Sequence, residues 1–291
     1  MTLEQLRIFV AVAAREHLTR AAADLNLTQS AVSAAIAALE QRHATRLFNR
    51  VGRGIELTAA GRLFLAEARA VLARAAAAEA LLDDLAGLRR GRLALAASQT
   101  VANYWLPPVL NRYRRLHPAI ALELSIGNTE SVVRSVLEGT ADLGVVEGEV
   151  DEPALRAMPV AADDLVLVAR PGLVPAGTVD PNLLRSLPFV WRERGSATRT
   201  IAFQALAALG LDPGGLEVFL ELPSNEAVRS AVEDGAGLTV LSRHVVAGSL
   251  KAGTLIDLGL ALPRRRFYAL LHRERPPAPA PAALLALFSA L

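Results

Sequence analysis

Residues 18–40, LTRAAADLNLTQSAVSAAIAALE, read as two short helices joined by a tight polar turn. Thr19 is placed to cap the first helix, which carries Ala22, Ala23 and Leu25. Asn26 suits the left-handed position of the turn, and Leu27 is expected to plug the core. Thr28 caps the next helix, in which Ala31, Val32, Ala35, Ile36 and Leu39 form a buried stripe at helical spacing. Gln29, Ser30, Ser33, Ala34 and Ala37 then point away from that stripe. A helix with so little bulk on its outward face, set just after a turn, has the shape that enters a DNA major groove.

The flanking segments extend this reading. Leu3, Leu6, Phe9, Val10 and Ala13 line one face of a preceding helix, with Thr2 and Gln5 spaced as a capping box. Residues 1–60 hold seven arginines against five acids, and Arg46, Arg50 and Arg53 cluster just past the second short helix. That is a modest basic excess where phosphates are to be met. From Thr58, an N-cap candidate, to Leu88 the chain has no proline. Phe64, Ala68, Val71, Ala75, Ala78, Leu82 and Leu85 alternate at spacings of four and three, a heptad seam. Left alone that seam would be wet, so a dimerising helix is expected. Two reading heads on a twofold axis would then meet an inverted repeat.

Residues 1–65 resemble the winged helix-turn-helix of LysR-type transcriptional regulators. The resemblance is carried by Leu6, Phe9, Ala21, Ala22, Leu25, Thr28 to Ser33, Ile36, Leu39 and Glu40, and continues through Leu47, Phe48, Arg50, Leu57, Thr58, Gly61 and Leu65. It implies groove insertion by the helix from Thr28, with Arg50 to Gly54 as the wing. The DNA-contacting set is then Thr28, Gln29, Ser30, Ser33, Ala34, Arg46, Arg50 and Arg53. Many relatives carry a long polar residue where this chain has Ala34 and Ala35. Only Gln29 offers a bidentate amide to a base, so DNA deformability is expected to contribute to sequence preference.

Beyond residue 90 strands alternate with helices. Strands are expected at 93–97, 120–126, 143–146, 164–169, 189–191, 218–222, 237–241 and 267–271. Helices are expected near 101–116, 129–138, 197–209, 225–234 and 282–290. The alternation predicts parallel α/β layers in two lobes, with the chain crossing near 163 and 266. Ligands of such sheets bind beyond the carboxyl ends of strands, where hydroxyl and amide residues gather here: Ser98, Gln99 and Thr100; Asn128 and Thr129; Ser196 and Thr198; Ser224 and Asn225. Helix N-termini at those points favour an anion. Arg194 and Arg199 are candidates for its countercharge, and Glu147 for receiving a donor.

This half also resembles the LysR-type effector domain, whose fold is that of periplasmic solute-binding proteins. Four blocks, SQTVANYWLPPVL (98–110), IGNTESVVRSVLEG (126–139), ADLGVVEG (141–148) and SNEAVRSAVEDGAGLTVLSR (224–243), are similar to one subgroup. Its members control sulfite reduction and related sulfur genes, or carbon-fixation operons. The resemblance implies a pocket of Ser98, Thr100, Asn128, Thr129, Glu147, Ser196 and Asn225, to which the strand-end reading adds Gln99. It favours sulfite or a phosphorylated metabolite as the effector, and dimers of dimers as the assembly.

The expected fold class is therefore α plus α/β: a winged helix-turn-helix (1–58), a long linker helix and hinge (59–90), and a bilobed effector domain of periplasmic-binding-protein type (91–291). Lobe 1 takes about 91–163 with 267–291, and lobe 2 about 164–266. Promoter duplex DNA, a small anionic effector and a second copy of the chain are the expected partners, with RNA polymerase left open. No catalytic residue, metal site or cofactor is expected. The chain has no cysteine and five histidines without ligand spacing, and no nucleophile elbow or phosphate-binding glycine loop. Paired acids at 83–84 and 163–164 read as helix-surface and turn residues. A transport solute-binding protein would account for the last two hundred residues and not for the first ninety. A mean hydropathy of +0.32 without a long uncharged apolar run, and an amphipathic N-terminus carrying Glu4 and Arg7, point to a cytoplasmic location.

Overall fold

In the computed structural model, which describes residues 1–51, 54–85, 91–175 and 181–288, Met1–Leu85 belong to one compact unit and Ala86–Val136 with Ala141–Leu291 to another. The first unit runs α1 (Leu3–Arg15), α2 (Leu18–Asp24), α3 (Gln29–Arg42), β1 (Phe48–Val51), β2 (Gly54–Leu57) and α4 (Ala59–Leu85). Each helix start has a local cause. Thr2 and Gln5 form the reciprocal capping box, with Gln5 N donating to Thr2 Oγ1 over 3.1 Å and Thr2 N to Gln5 Oε1 over 3.0 Å. Thr28 Oγ1 accepts from Ala31 N at 3.2 Å, and Thr58 Oγ1 from Gly61 N at 2.9 Å. Asn26 sits at φ +55°, in the left-handed region.

Leu6, Phe9, Val12, Ala21, Val32, Ile36 and Leu39 close the core of this unit, with Leu47 and Ile55 from the hairpin side. The Phe9 ring packs between Phe48 and Phe64, at centroid distances of 5.4 and 4.9 Å. Three expectations are corrected here. His17, not Thr19, holds the N-cap position of α2. Leu27 remains 36% exposed instead of plugging the core. Ala31 is also exposed, because the stripe that α3 buries narrows to Val32, Ile36 and Leu39.

The second unit contains β3 (Gly91–Ser98), a π-helical turn (Val101–Trp105), α5 (Leu106–Leu116), β4 (Ile120–Gly127), α6 (Thr129–Glu138), β5 (Leu143–Glu147), β6 (Leu155–Asp163) and β7 (Leu165–Ala169). It continues through α7 (Pro181–Arg185), β8 (Phe189–Arg192), α8 (Ala197–Ala208), β9 (Val218–Leu222), α9 (Asn225–Glu233), β10 (Thr239–Ser242), α10 (Arg243–Ala252), β11 (Ile256–Asp257), β12 (Arg265–His272) and α11 (Pro279–Phe288). A five-stranded sheet in the order β4-β3-β5-β12-β6 builds the first lobe. The second lobe holds the three-stranded β10-β7-β11 and the pair β8-β9, linked by a single bridge from Phe189 to Leu238. Separate apolar cores fill the lobes, one around Leu95, Val145 and Phe267 and another around Leu167, Trp191 and Leu206.

The sheets are mixed and not uniformly parallel. β3 runs parallel to β4 and β5, whereas β12 is antiparallel to β5 and β6. β12 returns from the second lobe and so enters the sheet from the end at which β5 and β6 leave it. Four elements lie outside the expected set: β6, α7, α10 and β11. β6 contains Pro159, which is tolerated because β6 is the sheet edge. α10 starts on Ser242, whose Oγ accepts from His244 N at 3.1 Å, and ends on Gly253 at φ +72°. Among the described residues no helix is long and apolar enough to cross a membrane.

Candidate functional site

The first unit presents α3 and the hairpin that follows it. Burial of Val32, Ile36 and Leu39 turns Gln29, Ser30 and Ala34 outward, while Ser33 is half-buried. Thr28 Oγ1 also lies 3.0 Å from Ser30 Oγ, so the capping hydroxyl orders the second exposed polar residue of the helix. Glu40, near the other end of α3, accepts from Leu47 N at 2.7 Å and Phe48 N at 3.1 Å. That carboxylate fixes where the hairpin leaves the helix. Arg46 and Arg50 are exposed, and Arg50 lies opposite Ile55 in the β1–β2 ladder. Arg53 lies outside the described residues.

The seam expected along α4 divides. Ala68 is 1% exposed and the half-buried Phe64 packs its ring at a tilt against Phe9, so both serve the core of their own unit. Val71 is 41% exposed, Ala75 is half-buried and Ala78 is exposed. The side chains of Leu82 and Leu85 lie outside the described residues. A heptad pattern records that a stripe is apolar, and here the first two turns of the stripe cover the hairpin-bearing core.

In the second unit the polar strand ends do converge, around two arginines that the strand-end reading passed over. Arg265 is 3% exposed and Arg192 4%. Arg265 donates from Nε to Asp163 Oδ2 at 2.7 Å, from Nη1 to Thr198 Oγ1 at 2.9 Å and from Nη2 to Thr100 Oγ1 at 3.4 Å. Its Nη2 lies 4.0 Å from Glu147 Oε1. The other oxygen of Asp163 accepts from Ser242 Oγ at 2.8 Å. Asp163 is thus a buried ion-pair partner and not a turn residue. Asn225 Nδ2 donates to Thr100 Oγ1 at 3.1 Å, and Asn225 Oδ1 accepts from Arg192 Nη1.

Arg192 also spans both oxygens of Glu193, at 2.8 and 2.9 Å, and Asn128 Nδ2 donates to Glu193 Oε1 at 3.2 Å. Burial works against the Glu193 carboxylate, but the hydrogen bonds and charge of Arg192, with Asn128 beside them, hold its pKa below the ordinary value. Gln99 bridges the lobes, donating to Pro223 O at 2.7 Å and accepting from Asn225 N at 3.0 Å. Tyr104 and Asn103 both donate to Glu226 Oε1. Burial and then the Glu226 charge raise the Tyr104 pKa.

Ser98 and Ser196 are buried, 2% and 3% exposed. Ser98 Oγ reaches Val145 O at 3.5 Å, and Ser196 makes no capping bond to α8. The arginines expected as countercharge are engaged elsewhere or turned out. Arg199 pairs with Glu221 and donates to the Arg192 carbonyl, and Arg194 is exposed. The run Arg264-Arg265-Arg266 ahead of an apolar strand was the available signal for the missed cation.

Beside this network lies a cavity of about 710 Å³. Its walls come from α6, α8, the turn after β5 and the start of β12. Of the eight residues expected to hold an effector, Thr129 alone lines it, with Gly148 and Ala197 as neighbours of two others. Thr129 Oγ1 is buried without a hydrogen-bond partner among the described residues. Among those residues no cluster of His, Cys, Asp or Glu is arranged to hold a metal ion.

Residues 3–62 match the model of the bacterial regulatory helix-turn-helix protein, lysR family, and residues 86–291 that of the LysR substrate binding domain. The uncharacterized HTH-type transcriptional regulator YeiE of Escherichia coli K12 is 36% identical over 278 residues, covering 94% of this chain and 92% of its own. The HTH-type transcriptional regulator CbbR of Rhodospirillum rubrum is 32% identical over 290 residues, covering 99% of this chain and 96% of its own. Among solved structures, the Synechocystis PCC6803 CcmR regulatory domain in complex with 2-PG is 27% identical, with a TM-score of 0.62, covering 69% of this chain and 97% of that one. The two family models between them match residues 3–62 and 86–291, and the chain belongs to the LysR family of DNA-binding transcriptional regulators.

Proposed function

We propose that the chain reads promoter DNA as a dimer and that a small organic anion, held between the lobes of the second unit, sets how it does so. The observation that carries the first half is the exposure of Gln29, Ser30 and Ala34 on an α3 whose other face is locked in the core. Thr28 and Ser33 complete the groove-facing turn, and Arg46, Arg50 and Arg53 meet phosphates. The dimer contact runs along α4 beyond Ala68, through Val71, Ala75 and Ala78 toward Leu82 and Leu85.

An anion is supported by the 2-PG complex of the CcmR domain. The match to CbbR favours a carbon-fixation operon as the target, with a phosphorylated metabolite as the first effector to try. Ser98, Gln99, Thr100, Asn128, Thr129, Glu147, Ser196 and Asn225 frame the seam that such a ligand would adjust. A ligand moves that balance only through different affinities for two arrangements of the lobes.

Gel-shift titration against the promoter beside the gene tests the reading head. Gln29→Ala is expected to lower discrimination between operator and mismatched DNA by about tenfold, the worth of one bidentate base contact. Arg50→Ala is expected to weaken all sequences alike and to reduce the salt slope by about one. Unchanged preference in the first variant and unchanged slope in the second would remove these assignments. DNase footprints that stay identical with and without saturating anion would remove the effector half.

A further inference from the structure

We infer that the cavity beside the seam takes an organic anion with an apolar body, anchored by Arg266, and that the Thr100–Asn225 network is not where the ligand sits. The inference rests on the effector reading above and names the site and ligand class within it.

Size comes first. A sulfite ion displaces roughly 100 Å³, about three to four waters' worth, and would leave most of a 710 Å³ cavity empty. That volume falls in the range of pockets built for molecules of ten or more heavy atoms.

Hydrogen-bond capacity comes second. Thr100 Oγ1 already receives Asn225 and Arg265, Asn225 gives its amide to Thr100 and its carbonyl to Arg192, and Gln99 uses both ends of its amide. A ligand placed among these groups would have to break satisfied, buried bonds, each costly to leave unmade.

Charge comes third. Of the ionised groups lining the cavity, Arg264 is committed to Asp164 at 2.7 Å and Arg265 to Asp163 at 2.7 Å. Glu130 holds Arg134 at 2.9 Å, and Glu149 accepts from Tyr268 Oη at 3.5 Å. Arg266 is exposed and has no carboxylate partner among the described residues. It is the guanidinium with donors to spare. The same cavity is lined by Val133 of α6 and Ala197 and Ile201 of α8, with Val150 from the turn after β5. A headgroup on Arg266 leaves the rest of the molecule against aliphatic side chains.

Calorimetric titration of the full-length chain tests this with two straight-chain series, acetate to octanoate and the matching alkyl phosphates, beside sulfite and inorganic phosphate. Affinity is expected to rise up to about fourfold per buried methylene, with sulfite and inorganic phosphate the weakest. The better of the two series identifies the headgroup. Arg266→Met, a change at an exposed position that leaves folding intact, is expected to lower affinity for both series about tenfold or more.

Length-independent binding, equal affinity in Arg266→Met, or preference for 6-aminohexanoate over hexanoate would overturn the inference. Sulfite binding more tightly than octanoate and lost in Thr100→Ala would also overturn it, while leaving an effector-controlled regulator standing. Failure of every anion to bind the native chain would overturn both.

Discussion

Replacing Arg265 with methionine is expected to lower the melting temperature of the second unit by about 10 °C. The arginine is 3% exposed, its charge partner Asp163 is 2% exposed, and the two meet at 2.7 Å. Methionine keeps the volume and removes the charge, so Asp163 is left as a buried carboxylate that, among the described residues, keeps the Ser242 hydrogen bond and His244 Nε2 at 3.8 Å. Breaking one side of a buried ion pair costs about 3–5 kcal/mol. A domain of this size loses about 2–4 °C for each of those. The test is thermal unfolding of the full chain and of a cycle with Asp163→Leu. If the penalty comes from the orphaned charge, the double variant recovers most of the loss. A double variant as unstable as the sum of the two singles would show that shape, and not charge, is what Arg265 supplies.

Gly61→Ala is expected to abolish operator binding, although residue 61 is not among the groups proposed to touch DNA. A Cβ built there lies 2.2 Å from the Leu47 carbonyl oxygen and 2.8 Å from Leu57 Cδ2. The first of these is backbone and has nowhere to turn. It belongs to the segment that Glu40 fixes and from which β1 departs, so relief of the clash displaces the hairpin from α3. Overpacking of this kind costs about 1–3 kcal/mol or more, and a unit this small has little to spare. The check is operator affinity alongside unfolding of the first unit. Native affinity in a folded Gly61→Ala protein would show that the hairpin position is not set by this contact.

What could be read ahead of the structure was what is decided within a few residues. The caps at Thr2, Thr28 and Thr58 and the left-handed Asn26 depend on neighbours three or four positions away, and all four stand where the chain places them. The misses have equally local reasons. α10 carries two β-branched residues, Val245 and Val246, and then Gly248, which weaken its helical signal even though Ser242 and Gly253 mark its ends. β6 was hidden by Pro159, which argues against any strand but an edge one.

The candidate site was half legible. Hydroxyl and amide residues after a strand advertise themselves, so Thr100 and Asn225 stood out. Arg265 and Asp163 did not, because they are 102 residues apart and an arginine is seldom buried without a partner. Nothing local names that partner. Phe64 and Ala68 show the same limit, since periodicity reveals an apolar stripe without saying which surface will cover it.

The backbone passes between the lobes twice, leaving along β6 at Asp163 and returning into β12 at Arg265, and these two residues are also direct partners in the antiparallel ladder. Both passages are therefore bolted together, rung and side chain at the same point. Displacement of either passage therefore strains the other at the same rung, and the bonds of Gln99 to Pro223 and Asn225 and of Asn128 to Glu193 tie the lobes at further points. A rotation of one lobe against the other would have to carry this rung and its ion pair with it, so the crossing is the stiffest part of the joint.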